Sequence, residues 1–409
     1  MRITLEIHKK ILILLILFLC ADNLLWLTND SVRAYAKEIF WMTSLLLFFI
    51  HIILPRKCGY ILSKQYFIFG GIMLFPIIMA LYSSVQGYLI YNQSLFQGIL
   101  PQRFMVGGFL LYFVLVEYFI EYGLQDRIEK FFLTFSKVEL LLYVMQYLVI
   151  NQIQFLQIPY SIRLGGIRMN AGALGIHFLI FYLINKIFTE RRLKKSNLFW
   201  LGISFYYVFG ISKTRMLIVA YSLAIVGCFL IWKNNSKRKV AIFFILVLAM
   251  VFMTQTELFK YLITGINNMD SSAQIRTIGR KYYIDKILEH PLFGCGYINM
   301  KNKVALSFSG YNDNIFWVDL GVFGLTFFFG IIGLIWMVHW YIKLIYCSYK
   351  ITQKGNYIFW MYVIYVITIS INGTGFLWYP GDTLCYVLIT AFIDIYYQRN
   401  LVQSREVIE

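Results

Sequence analysis

Charge is scarce in this chain: only 14% of its 409 residues are Asp, Glu, Lys or Arg, while 60% are hydrophobic and 19% aromatic, and the mean hydropathy is +0.67. That balance excludes a soluble globular domain and is the composition of a polytopic membrane protein. Histidine is equally sparse. The five, at 8, 51, 177, 290 and 339, show no metal-ligand spacing, so neither a metal site nor another cofactor is expected. The six cysteines fall mostly within apolar runs and form no readable disulfide framework. The first apolar run, 11–27, follows a basic start but lacks a small-x-small cleavage site, and reads as a membrane anchor. Carboxylates inside apolar runs are few (Asp22, Glu117, Glu139, Asp319, Asp382, Asp394), which argues against a proton- or cation-coupled transporter. The chain has no internal repeat, no low-complexity tract and no soluble domain.

What is present is a succession of apolar runs near 11–28, 39–54, 66–90, 104–121, 132–151, 171–188, 197–211, 214–232, 240–256, 315–341, 357–373 and 382–397. Each approaches the length needed to cross about 30 Å of hydrocarbon as a helix. The expected fold is therefore all-α: a polytopic integral membrane protein of about 12 transmembrane helices, one membrane domain over 1–409. A single long loop, 257–314, separates spans 9 and 10. The net charge of +17 does not indicate nucleic acid, because the basic residues sit in short clusters between the runs. With the N-terminus inside, 23 of the 37 basic residues fall in cytoplasmic segments, seven in the long loop and seven in short outer segments. The positive-inside rule then puts both termini in the cytoplasm and the long loop outside. The cytoplasmic cluster at Arg191–Lys195 is a topological determinant with a secondary attraction for anionic membrane lipids.

Five of the seven basic residues in short outer segments are arginines: Arg33, Arg103, Arg163, Arg168 and Arg215. Arg103, Arg168 and Arg215 stand at N-terminal ends of inward-running helices, where the macrodipole already disfavours a cation and an anion would resolve the conflict. Arg163-Leu164-Gly165-Gly166-Ile167-Arg168-Met169-Asn170 sets two glycines between two arginines before a helix, with Asn170 as its cap, an arrangement that suits an anion and equally an ordinary turn. Gly210-Ile211-Ser212-Lys213-Thr214-Arg215 repeats that logic. In the long loop, Asp270-Ser271-Ser272 starts a helix carrying Arg276 and Arg280 one turn apart on one face, a fork suited to phosphate oxygens. The loop closes on Tyr311-Asn312-Asp313-Asn314.

Three boxes in this order resemble the bacterial O-antigen polymerase and O-antigen ligase superfamily: Ser212-Lys213-Thr214-Arg215; Arg280 followed by Pro291-Leu292-Phe293-Gly294-Cys295-Gly296; and Tyr311-Asn312-Asp313-Asn314 leading to Gly321-Val322-Phe323-Gly324. The resemblance spans about 160–325. It implies a glycosyltransferase of the bacterial plasma (inner) membrane with a class-C-like helical fold, joining lipid-linked oligosaccharides on the outer face without nucleotide sugars or metal. It also implies that arginines hold undecaprenyl pyrophosphate: Arg215 and Arg280 first, then Arg168 and Arg276, with Arg163, Tyr311 and Asn312 as further substrate contacts. The histidine expected in the ligase pattern at the end of the loop is absent, which favours a repeat-unit polymerase over a ligase. Asp313 then stands as the candidate base, or as the cap of a helix beginning near Ile315. A flippase or exporter of the same lipid-linked sugars is the alternative from another class, and a chain-length regulator a possible partner.

Overall fold

The computed structural model describes residues 2–53, 67–163, 166–169, 175–190, 194–232, 271–311 and 315–406. The predicted run at 240–256, the first part of the long loop, and Asn170, Asn312, Asp313 and Asn314 lie outside the described residues.

The described residues form a helical bundle with one small hairpin. In order come α1 (Arg2–Ala21), α2 (Asp30–Ile53), α3 (Gly70–Tyr91), α4 (Leu95–Ile99), α5 (Arg103–Glu121) and α6 (Gln125–Val149). The strands β1 (Tyr160–Arg163) and β2 (Gly166–Met169) follow, then α7 (Ile176–Thr189), α8 (Lys195–Tyr206) and α9 (Arg215–Ile231). Beyond these lie α10 (Ser271–Glu289), α11 (Lys303–Phe308), α12 (Val322–Thr352), α13 (Ile358–Ser370) and α14 (Pro380–Glu406). Eleven of the twelve predicted apolar runs coincide with described helices. Of the described helical segments five are long and apolar enough to cross a membrane, Asp30–Ile53, Gly70–Tyr91, Leu95–Glu121, Gln125–Val149 and Val322–Thr352, with shorter apolar helices at α7, α9 and α13.

The core follows from helices that are apolar on all sides. α5 is buried along nearly its whole length, held between α2 and α14, while α9 packs along α13, and α12 against α13 and α14. Aromatic rings fill the contacts: Phe119 stacks on Phe392 at 5.0 Å, and Tyr283 on Phe327 at 4.4 Å.

Three places depart from the sequence expectation. The sequence predicts a loop entering a helix at Arg163–Asn170. Instead β1 and β2 form an antiparallel hairpin, with Ser161 opposite Arg168 and Arg163 opposite Gly166. The alternating short run there suits a two-stranded ribbon better than a turn of helix. The first apolar run stops being helical at Ala21, and Asn23, Leu24, Leu25 and Trp26 form a left-handed turn with φ of 52–59°. Such a conformation costs roughly 1–2 kcal/mol per non-glycine residue and persists only where its surroundings hold it.

The third departure is α12. It reaches Thr352, eleven residues past the expected run, and breaks at Gly330, whose φ of 63° no helix accommodates. The break frees carbonyls above it and amides below it, and the loop after α10 takes them up. Cys295 and Gly296 donate their N–H groups to Phe327 and Phe328 at 2.7 and 3.2 Å. Ile331 and Ile332 donate to the carbonyls of Pro291 and Leu292 at 2.9 and 3.3 Å, and the Tyr82 hydroxyl donates to Phe329 at 2.8 Å. The Pro291–Gly296 box is thus a backbone clamp, non-helical chain tolerated because it is enclosed in protein.

Candidate functional site

Basic residues from separate parts of the chain meet at the start of α9. The chain reaches that helix through a wide turn at Tyr207–Ser212, a left-handed Lys213 (φ 45°) and an extended Thr214. Thr214 occupies the cap position without capping. Its hydroxyl donates instead to the Ser212 carbonyl at 3.1 Å and accepts from Arg168 Nη2 at 3.2 Å, while Arg168 Nε donates to that same carbonyl at 3.0 Å. Arg168, brought across by β2, therefore holds the turn from which Arg215 projects. The Lys213 ammonium lies so close to Gly166 that a side chain on that strand would displace it.

The long-loop helix brings the next cation. The predicted start at Ser271 is where α10 begins, and Arg276 and Arg280 are one turn apart on it, both half-buried. Arg280 Nη2 donates to Asn372 Oδ1 at 2.8 Å, and the Asn372 amide reaches Met216 Sδ at 3.0 Å, on the residue after Arg215. Its Nε is buried and has no hydrogen-bond partner among the described residues. A buried guanidinium N–H left unmatched in a protein interior asks for an acceptor from elsewhere.

Arg280 and Arg215 are thereby joined through Asn372 and Met216, and Arg168 and Lys213 border the same helix start. Like charges brought together repel, and an anion with several oxygens relieves both that repulsion and the orphaned donor. The other predicted contacts stand differently. Arg163 ends β1, its backbone opposite Gly166. Tyr311 is half-buried, its ring against Phe316 at 5.3 Å and Trp317 at 6.2 Å, so aromatic packing holds it. Asp313 lies outside the described residues; the helical turn expected near Ile315 begins at Trp317, with extended Phe316 in its capping position. His290, the residue after α10, serves the clamp through its carbonyl, which accepts from Gly294 N at 3.0 Å.

Sequence reasoning missed Asn372, and it named Asp22, Glu139 and Asp382 as carboxylates in apolar runs without bringing them together. Asn372 follows an apolar helix in Asn372-Gly373-Thr374-Gly375, and those turn residues were the available signal. Asp22 and Glu139 are almost fully buried and within electrostatic reach of each other and of Asp382. Tyr207, in the turn before α9, feels Glu139, Asp22 and Arg168 together. Among the described residues no group of histidine, cysteine and carboxylate side chains is arranged to hold a metal.

Comparison with curated proteins finds no match. A family model described as O-antigen ligase matches residues 198–337, from α8 to the middle of α12. That stretch contains the Ser212–Arg215 turn, Arg276, Arg280 and the clamp at Pro291–Gly296, and its similarity to the family is consistent with the O-antigen ligase and polymerase superfamily.

Proposed function

We propose that this chain polymerises lipid-linked oligosaccharide repeat units on the outer face of the bacterial plasma membrane. The growing chain passes from undecaprenyl pyrophosphate to a sugar hydroxyl of a new lipid-linked unit. The observation that carries the reading is the meeting of Arg280, Asn372 and the Arg215 helix start, with an unmatched Arg280 N–H. The reaction is substitution at an anomeric carbon. The acceptor oxygen forms a bond to that carbon as its bond to the pyrophosphate oxygen breaks, and the acceptor proton leaves to a base. Negative charge accumulates on the departing pyrophosphate, so guanidinia fixed in advance lower the barrier more than flexible cations do. In this reading Arg215 and Arg280 hold the pyrophosphate, Arg276 extends the fork, and Arg168 braces the turn.

The missing loop histidine favours a polymerase over a ligase, and Asp313 is our candidate base. The gathering of arginines at one helix start, instead of at several depths of a path, speaks against a flippase. Arg215→Lys and Arg280→Lys should each abolish most polymer at unchanged protein levels, because lysine cannot form the bidentate fork. Arg405→Lys should have no effect. Asp313→Asn should slow polymer formation about 10²-fold or more while donor binding is retained. Full-length polymer from both arginine variants, assayed in membranes supplied with lipid-linked units, would remove the pyrophosphate role. Single capped units accumulating in a deletion strain would favour the polymerase, and completed chains left on their lipid the ligase.

A further inference from the structure

A cavity of about 420 Å³ opens beside the left-handed turn that follows α1, within the size range of small-molecule sites. One wall is Trp26 with Phe104, another the first turns of α2, and a third is Pro159, the residue before β1. The strain of the Asn23–Trp26 turn shapes this cavity: Gln157 N donates to the Trp26 carbonyl at 2.7 Å, Arg33 Nη1 donates to the Gln157 carbonyl at 2.8 Å, and the Arg33 guanidinium lies 4.5 Å over the indole. The wall is therefore stitched across 124 residues of sequence. The indole N–H of Trp26 is buried without a partner among the described residues.

The charges lining the cavity are largely spoken for. Arg33 pairs with Asp30, and Arg103 grips Glu38 through two nitrogens. Lys37 remains. Neither an ion pair nor a hydrogen bond engages its ammonium among the described residues, though it feels Asp30 and Arg33, and the charged residues lining the cavity leave one net positive charge. The hairpin fixes the distance to the arginine site. Ser161 stands two positions beyond Pro159 and lies opposite Arg168, so the backbone at the cavity wall is within roughly 12 Å of the Arg168 backbone.

We propose that this cavity is a saccharide subsite holding an acidic sugar of the repeat unit, with Lys37 meeting its carboxylate and Trp26 and Phe104 its apolar ring faces; this rests on the polymerase reading above. Arg33 lies over Trp26 at 4.5 Å and Arg103 over Phe104 at 4.2 Å, so aromatic side chains and ion-paired groups line the cavity together, a lining that suits a ring with C–H faces and hydroxyl edges, and the spare ammonium selects the anionic one. A short saccharide reaching from the cavity ends beside the bound pyrophosphate.

The test uses full-length protein in phosphatidylcholine nanodiscs. The probe is the repeat-unit oligosaccharide released by mild acid from lipid-linked intermediates of a deletion strain and tagged at its reducing end. Wild type and Arg405→Lys should bind it equally, Lys37→Gln at least about tenfold more weakly, and Lys37→Arg close to wild type. Reducing the sugar carboxyl should erase the difference between wild type and Lys37→Gln. Equal binding by wild type and Lys37→Gln, no binding by wild type, or a repeat unit without an acidic sugar overturns the subsite alone. Loss of saccharide binding in phosphatidylglycerol nanodiscs assigns the cavity to a lipid headgroup and also overturns it. A deletion strain that accumulates no lipid-linked units overturns the polymerase reading, and the subsite with it.

Discussion

Asn372 illustrates how much one uncharged side chain can decide. Its carbonyl oxygen faces Arg280 and its amide faces Met216, so it sets the angle at which the guanidinium meets the start of α9. Removing an acceptor from a charged donor loses a bond worth about 1.5–3 kcal/mol. Asn372→Ala is expected to cut polymer formation at least about tenfold by loosening Arg280, while Asn372→Asp should tighten the pair and weaken donor binding by neutralising the cation. Polymer formation at the wild-type rate in Asn372→Ala, or undiminished donor binding in Asn372→Asp, would contradict this positioning role. Arginine positions were legible from sequence because charge is rare in this chain and each outer guanidinium stood out. Asn372 was not, since its meaning depends on a contact 92 residues away.

Among the elements, the clamp between the loop after α10 and the broken α12 carries the most consequence for stability. Gly294 has φ of 71° and faces the backbone of Phe327, Phe328 and Gly330 so closely that no side chain fits. Gly294→Ala combines left-handed strain with a backbone clash, and should detach the loop. Cys295 reports the event. Its thiol is buried and pushed by that burial up to about 12, so at pH 8 it is almost wholly protonated and unreactive. A maleimide should leave it unlabelled in the native protein at that pH and label it in Gly294→Ala; equal protection in both would show that the clamp holds without glycine. The helices themselves were legible, eleven runs of twelve, because apolar length alone marks them. The break at Gly330 was not: one glycine in an apolar run looks like any other until the partner loop arrives. The hairpin escaped for the same reason, its four-residue strands being too short for periodicity to show.

For the molecule as a whole, sidedness rests on the distribution of basic residues, 23 in the segments assigned to the cytoplasm against seven in short outer ones. Reporter fusions at Ser307 and Asn235 should show opposite sidedness, and cytoplasmic activity at Ser307 would invert the arrangement. The cavity by Trp26 and the arginine cluster belong to distant parts of the chain, yet the hairpin runs from one to the other: Pro159 lines the cavity, and Arg168, opposite Ser161, holds the turn before Arg215. The clamp also bears on the order of synthesis. Residues 291–296 leave the ribosome before α12 does, so the strand that mends the break is already waiting when the broken helix emerges. A chain begun beyond Gly296 would deliver α12 into lipid with open peptide groups, each costing several kcal/mol, and nothing to close them.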